Sequence, residues 1–149
     1  MTFFQNWQNL IIPVTVTIVS QFIKILLESH KYGFKWSHLN NYGGMPSSHS
    51  AGFTSLAVTI GLTTGFYSPL FAMTLFVALA FIRDAVGIRW SLGKHGQVLN
   101  HLLVKLPQVE RAQLPHRLKD RLGHTYPEAL AGIILGIILT AIFYTLING

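Results

Sequence analysis

Four apolar runs in a chain of 149 residues constrain this sequence more than any other feature. The runs lie at residues 10–27, 50–66, 69–82 and 129–147. A helix needs roughly 20 apolar residues to cross the hydrocarbon core of a bilayer, so the helices of the shorter runs are expected to extend into their polar flanks at 46–49 and 83–88. The sequence therefore predicts an all-α integral membrane bundle of about four transmembrane helices, in a single domain of residues 1–149.

The composition agrees with a membrane protein and narrows its chemistry. Only 11% of the residues are charged, against about 25% in a typical soluble domain. The absence of cysteine excludes disulfides, thiolate metal sites and cysteine nucleophiles. The basic residues flank apolar runs and do not alternate with aromatic residues on a polar segment, so nucleic acid is not an expected partner. Contact with anionic lipid headgroups is expected instead.

The distribution of charge predicts the orientation in the membrane. All eleven Lys and Arg residues and all five acidic residues lie near the end of the first run, after the third run or in the two long connections. With four spans these segments share one side, which the positive-inside rule makes cytoplasmic. We therefore expect a plasma (inner) membrane protein with both termini outside.

Two further patterns concern the connections and the packing. Residues 65–69 form a tight turn, which makes the second and third helices a hairpin, and residues 98–106 are apolar enough for a short helix on the bilayer surface. Small residues at helical spacing predict close packing of the second and fourth helices. These residues are Ser50, Thr54, Ala57, Gly61, Gly65, Gly132 and Gly136.

Polar residues gather at the charged end of all four predicted helices. Lys24 lies near the end of the first helix, residues 43–50 open the second, residues 83–89 close the third, and residues 123–128 open the fourth. Since these segments share one depth on one membrane face, they predict a functional site.

The segment 46–49 has the features of an anion site. Pro46 suits a first helical turn, and the free amides and hydroxyls of Ser47 and Ser48, together with the helix dipole, favour a bound anion. His49 lies in the same turn and can give or take a proton. The alternative, a capped helix start with an interfacial histidine, stays open.

The fourth helix begins with a second candidate pair. Glu128 follows His124 by four residues, so its carboxylate can accept a hydrogen bond from the imidazole and make it a competent nucleophile or base. Lys24 and Arg89 are cations beside apolar runs and are expected to contact an anion or the lipid headgroups. Asp84 either takes part in the site or pairs with a neighbouring arginine.

Three motifs in this order resemble the divergent branch of the type 2 phosphatidic acid phosphatase superfamily, which also contains the vanadium-dependent haloperoxidases. They are Gly-Gly-Met-Pro-Ser-Ser-His-Ser at 43–50, Asp-Ala-Val-Gly-Ile-Arg at 84–89 and Gly-His-Thr-Tyr-Pro-Glu-Ala-Leu-Ala-Gly at 123–132. The resemblance extends from Lys24 to the last helix and is specific because all three motifs occur together.

The resemblance implies roles for named residues. His124 corresponds to a nucleophile that forms a phosphohistidine, Glu128 orients it, and His49 protonates the leaving lipid alkoxide. The implied substrate-binding groups need no metal ion or other cofactor, because cations and helix ends stabilise the charge. These groups are Lys24, Lys31, Ser47, Ser48, Asp84 and Arg89.

Two positions depart from the superfamily pattern. Leu118 stands six residues before His124, where the wider superfamily has arginine, and our hypothesis is that Arg89 takes over its function. The divergent branch usually has a second arginine after Arg89, whereas this chain has Trp90, and the usual downstream acid is replaced by Lys94 or His95. Loss of a phosphate ligand can cost on the order of 10²–10³ in rate.

The motifs and the charge distribution together predict a metal-independent lipid phosphate phosphatase at the cytoplasmic membrane face. Phosphatidic acid or phosphatidylglycerol phosphate is the expected kind of substrate. The alternatives are a lipid-phosphate-binding membrane protein or scaffold with weakened catalysis, and a small transporter, which would need more polar residues deep in the helices. Four helices enclose only a small interior, so a homodimer is a further expectation.

Overall fold

The computed structural model describes residues 3–33, 44–111, 113–114, 118–120 and 122–149, without the side chains at 31, 32, 109 and 111. The described residues form helices joined by turns and extended segments, with no strand. The helices are α1 (Phe3–Tyr32), α2 (Ser48–Thr64), α3 (Pro69–Val86), α4 (Ile88–Lys105), α5 (Gln108–Arg111) and α6 (Tyr126–Asn148).

The predicted all-α membrane bundle is confirmed. Three segments of the described chain are long and apolar enough to cross a membrane, namely Phe3–His30, Pro69–Lys105 and Tyr126–Asn148. The helix α2, with 17 residues, is about 26 Å long, slightly less than a typical hydrocarbon core of about 30 Å. It is the central helix of the bundle and packs against α1, α3 and α6.

Hydrogen bonds at both ends of the bundle fix the direction of the helices. At one end Asn148 Nδ2 donates to Gln8 Oε1 at 2.8 Å, and Thr63 Oγ1 donates to Asn9 Oδ1 at 3.0 Å. At the other end the amide of Ser47 donates to the Glu128 carbonyl at 3.1 Å. The end of α1, the start of α2, the end of α3 and the start of α6 therefore meet at one end, which is the charged end.

The helix predicted at residues 98–106 is longer than expected, and its location on the bilayer surface stays a prediction. The sequence pattern indicated residues 98–106, but α4 begins at Ile88, after the single residue Gly87 that ends α3. The sequence pattern did not predict the first half of α4, because Gly93 and Gly96 lie in it and glycine has a low helix propensity. Both glycines face the backbone of Lys119, Asp120 and Leu122, with which a side chain would collide. Tertiary packing thus overrides the local preference.

The predicted close packing of small residues is confirmed for α6, where Gly132 and Gly136 lie against α2, whereas Gly61 of α2 faces the rings of Phe66 and Phe71. A Cβ atom added at Gly136 would lie 2.6 Å from the carbonyl oxygen of Ala51, and one added at Gly132 would lie 3.0 Å from the Ser50 Cβ. A buried hydrogen bond of 2.6 Å from Thr140 Oγ1 to Ser55 Oγ joins the same two helices. In a bilayer such backbone approach and polar contacts replace the hydrophobic effect as the force that associates helices.

Replacing Gly136 with leucine is expected to destabilise the bundle, because the added side chain forces α6 away from Ala51. Overpacking of this kind costs about 1–3 kcal/mol, occasionally more. Thermal unfolding of the purified protein in lipid-detergent micelles measures the effect. Ala141→Leu adds bulk at an exposed position of the same helix and is the control, so equal melting temperatures for both variants would contradict the packing argument.

Candidate active site

His124 is fixed in place by the backbone that surrounds it. Its amide donates to the carbonyl of Ala85 near the end of α3 at 2.9 Å. The preceding residue, Gly123, has φ of +77° and lies against the backbone of Trp90. A side chain at Gly123 would be strained by that φ and would place its Cβ 2.6 Å from the Trp90 Cα. Glycine therefore lets the extended segment 122–124 dock at the α3–α4 junction.

The carboxylate of Glu128 orients the His124 ring. Its Oε2 atom lies 3.2 Å from His124 Nδ1 and also accepts the amide of Thr125, the N-cap of α6, at 3.1 Å. An ionised carboxylate only accepts hydrogen bonds, so Nδ1 carries the proton and Nε2, on the other edge of the ring, is left with its lone pair. His124 is 6% exposed, which restricts the ring further.

Burial lowers the pKa of His124 below its ordinary value, because a charged imidazole loses hydration there. The hydrogen bond and the charge of Glu128 raise this pKa, while the nearby positive charges of Lys24 and His49 lower it again. The net effect keeps His124 neutral at neutral pH, with Nε2 able to attack an electrophile or accept a proton.

His124 and His49 line the same cavity, which has a volume of about 230 Å³. The two imidazoles, which are 75 positions apart in the sequence, thus come together with Arg89 around one space. The remaining wall is mostly apolar. The complete lining consists of His49, Phe81, Ala85, Arg89, Leu92, Leu122, Gly123 and His124.

Asp84 holds the Arg89 guanidinium in position at the cavity. Its Oδ2 atom accepts a hydrogen bond of 2.6 Å from Arg89 Nε. The Nη groups of Arg89 remain as donors for an anion, and a guanidinium donates well to phosphate. Asp84 itself does not line the cavity, so the geometry gives it a positioning role where the sequence analysis grouped it with substrate contacts.

Lys24 lies beside the cavity in the interior of the bundle and is not part of the cavity wall. Its side chain is 2% exposed and packs next to Gly44 and Glu28. Its ammonium group interacts electrostatically with both His49 and His124. A buried cation at this place makes the electrostatic potential of the cavity more positive.

Two predicted phosphate ligands have other partners in the structure. The Ser47 amide donates to the Glu128 carbonyl, and its hydroxyl accepts the amide of Ser50 at 3.3 Å as the N-cap of α2. The hydroxyl of Ser48 donates to Gln21 Oε1 at 2.9 Å. These contacts give Ser47 and Ser48 roles in capping and packing, and their predicted contact with an anion stays a prediction. The Lys31 side chain lies outside the described residues.

One face of α4 holds the segment that precedes His124. This role of α4 was not predicted from the sequence. Asn100 forms two hydrogen bonds of 2.9 Å with the backbone of Leu118, donating to its carbonyl and accepting from its amide. Gln97 Nε2 donates to the Asp120 carbonyl at 3.2 Å. Together with Gly93 and Gly96 these residues form a stripe with a spacing of three to four residues. That spacing was visible in the sequence, but the partner backbone was not.

Within the described part of the chain, no three His, Asp or Glu side chains come together as a group that could hold a metal ion. The site has two histidines, one orienting carboxylate and two cations in or beside a small cavity. The fold and the site therefore define a helical membrane protein with two histidines, a carboxylate and two basic residues gathered at one end of the bundle.

The chain belongs to the divergent PAP2 family, whose model matches residues 5–139. It is also similar to the uncharacterized membrane protein YuiD of Bacillus subtilis (strain 168), with 32% identity over 146 residues. That alignment covers 89% of this chain and 91% of the relative. No solved structure matches the chain. The family predicted from the three motifs is thus confirmed.

Replacing Asn100 with alanine is expected to loosen the segment before His124, because both hydrogen bonds to Leu118 are lost. At about 1 kcal/mol each, the opening equilibrium rises on the order of 30-fold. The chain has no cysteine, so a Leu122→Cys background gives a single thiol whose labelling rate reports the opening. His101→Ala, an exposed neighbour, is the control, and equal labelling rates in the two variants would refute the clamping role of Asn100.

Proposed function

We propose that this protein is a metal-independent lipid phosphate phosphatase that works through a phosphohistidine at His124. The membership in the divergent PAP2 family supports a phosphatase-related activity. The observation that carries the proposal is the orientation of His124, whose Nδ1 is held by Glu128 while the ring lines a cavity together with His49 and Arg89.

In the first step, the phosphate of the substrate lies in the cavity with its oxygens near the Arg89 guanidinium. His124 Nε2 attacks phosphorus, so that a nitrogen–phosphorus bond forms and the bond to the lipid oxygen breaks. His49 takes part in its protonated form, which the negative charge of the bound phosphate favours. It gives this proton to the departing alkoxide and releases the lipid as an alcohol. Arg89 and Lys24 stabilise the negative charge of the transferred group.

In the second step, water replaces the alcohol beside the phosphohistidine. The neutral His49 accepts a proton from this water, whose oxygen attacks phosphorus while the nitrogen–phosphorus bond breaks. Inorganic phosphate leaves, His124 returns to its neutral form, and His49 is protonated again for the next cycle. Throughout, Glu128 stabilises the charge that the His124 ring carries in the intermediate.

The proposed substrate is a lipid phosphate monoester, of the phosphatidic acid or phosphatidylglycerol phosphate type. The site lies at the charged end of a membrane bundle, where lipid phosphate groups are found. In α4, the exposed residues Val98, Leu99 and Leu102 accompany Lys94 and Lys105, a combination suited to an interface with anionic headgroups. The second candidate, lipid-phosphate binding with weakened catalysis, gains support from Ser47 and Ser48, whose side chains have other partners.

Replacing His124 with alanine is expected to abolish phosphate release from phosphatidic acid in mixed micelles, since no nucleophile remains. His49→Ala is expected to lower kcat by about 10²–10⁴, the usual contribution of a general acid or base. Release of inorganic phosphate by purified wild type and variants measures both effects, and thermal unfolding checks that the variants are folded.

His95→Ala is the matched control, because His95 is an exposed histidine of α4 that does not line the cavity. Equal turnover in all three variants would refute the proposed roles. Phosphatidic acid binding without phosphate release, unaffected by His124→Ala, would favour the binding protein or scaffold instead.

We also propose that the site faces the cytoplasm in a plasma (inner) membrane, as the positive-inside rule indicates. Single cysteines test this orientation with a membrane-impermeant maleimide on intact cells. Tyr67→Cys lies in the tight turn between α2 and α3, where the side chain is fully exposed, and is expected to be labelled. Lys94→Cys, on α4 near the site, is expected to react only after the cells are opened, and the reverse pattern would overturn the orientation.

A further inference from the structure

We infer that the substrate reaches His124 sideways from the bilayer, between α3 and α4, and that Phe81 and Leu92 select the leaving group at this opening. The inference rests on the proposed phosphatase function. It narrows the substrates to monoesters whose phosphate is attached directly to a hydrocarbon-bearing lipid, and it disfavours small water-soluble phosphate esters.

The cavity has two chemically different sides. His49, Arg89 and His124 form the polar side, where an anion is stabilised. Phe81 and Leu92, with Ala85 and Leu122, form the apolar side. A site for soluble phosphate esters is expected to offer hydrogen-bond partners to the alcohol portion of the substrate, whereas this wall offers aliphatic and aromatic carbon.

Phe81 and Leu92 also mark the mouth of the cavity. Both line it, yet Phe81 is 45% exposed and Leu92 is 54% exposed. His49 and Arg89 line the cavity and are exposed as well, so the mouth has a polar part and an apolar part. A residue that lines a cavity and is exposed at the same time lies at the boundary between the cavity and its surroundings. Since Phe81 belongs to α3 and Leu92 to α4, the apolar part of the opening lies between these two helices.

The depth of the opening identifies its surroundings. Phe81 precedes the end of α3 by five residues, which is about 7–8 Å of helix rise. It thus lies in the last turns of a membrane-spanning helix, at the level where the first carbons of a lipid follow its headgroup. Phe81 is also stacked on Phe53 of α2, with ring centroids 4.1 Å apart. This contact restricts the movement of the Phe81 ring at the opening.

The apolar opening acts by excluding polar groups more than by attracting hydrocarbon. A lipid chain gains little by moving from the bilayer onto Leu92, because both environments are apolar. A polar alcohol, in contrast, loses its hydration at this place without gaining a partner. The expected result is a preference for lipid over soluble substrate in kcat/KM, controlled by the polarity of the opening.

The experiment compares phosphate release from long-chain phosphatidic acid with release from glycerol 3-phosphate, which has the same phosphate and glycerol without the acyl chains. Leu92→Asn, a substitution of similar size, is expected to lower the ratio of the two kcat/KM values on the order of 10-fold. Leu130→Asn is the matched control, since Leu130 is a similarly exposed leucine of α6 that does not line the cavity, and it is expected to keep the wild-type ratio.

The outcomes separate this inference from the proposed function. An unchanged ratio in Leu92→Asn, or an equal loss for both substrates, overturns the selective opening and leaves the phosphatase function intact. If wild type releases phosphate from neither substrate, the proposed function falls and the inference falls with it. Should Leu92→Asn fail to fold, as judged by thermal unfolding, the milder Leu92→Thr is expected to lower the ratio in the same direction, and an unchanged ratio there is equally contrary.

Discussion

The hydrogen bonds of Glu128 are the constraint on which the rest of the site depends. One carboxylate oxygen accepts hydrogen bonds from the N-cap amide of α6 and from Nδ1–H of His124. The backbone carbonyl of Glu128 accepts a third hydrogen bond, from the amide of Ser47. The start of α6, the ring of His124 and the start of α2 are therefore fixed by a single residue. Because His49 follows two residues after Ser47, these hydrogen bonds also fix the backbone close to both histidines that line the cavity.

This local arrangement requires that α2 and α6 approach at close range. Gly132 and Gly136 allow the approach, since the backbone of α2 occupies the space that their side chains would take. A membrane bundle has no water to drive such packing, and dispersion contacts and buried hydrogen bonds take that part. The geometry of the polar end therefore depends on the packing of small residues between α2 and α6.

Much of this was predictable from sequence, for physical reasons that differ between elements. The apolar runs, the tight turn at 65–69 and the pair His124 and Glu128 depend on local patterns, and helical spacing alone brings a carboxylate to a histidine four residues away. The first half of α4 was not predictable, because the need for Gly93 and Gly96 arises from the backbone of Lys119, Asp120 and Leu122, which packs against them. The true partners of Ser47 and Ser48 depend on α6 and α1, which a local pattern does not contain. Likewise, the sequence showed a cation at Lys24 but not its nearly complete burial.

The position of Leu118 explains how the site is built without the arginine that the wider superfamily has there. Its backbone is held at both polar groups by Asn100, so the segment before His124 is anchored to α4. The positive charge at the cavity comes instead from Arg89, which lies at the start of α4. Asp84 holds its guanidinium by a hydrogen bond. Since α4 both anchors the segment and carries Arg89, a shift of this helix moves His124 and Arg89 together. The short junction at Gly87, which joins α3 to α4, is therefore as important to the geometry of the site as the histidines themselves.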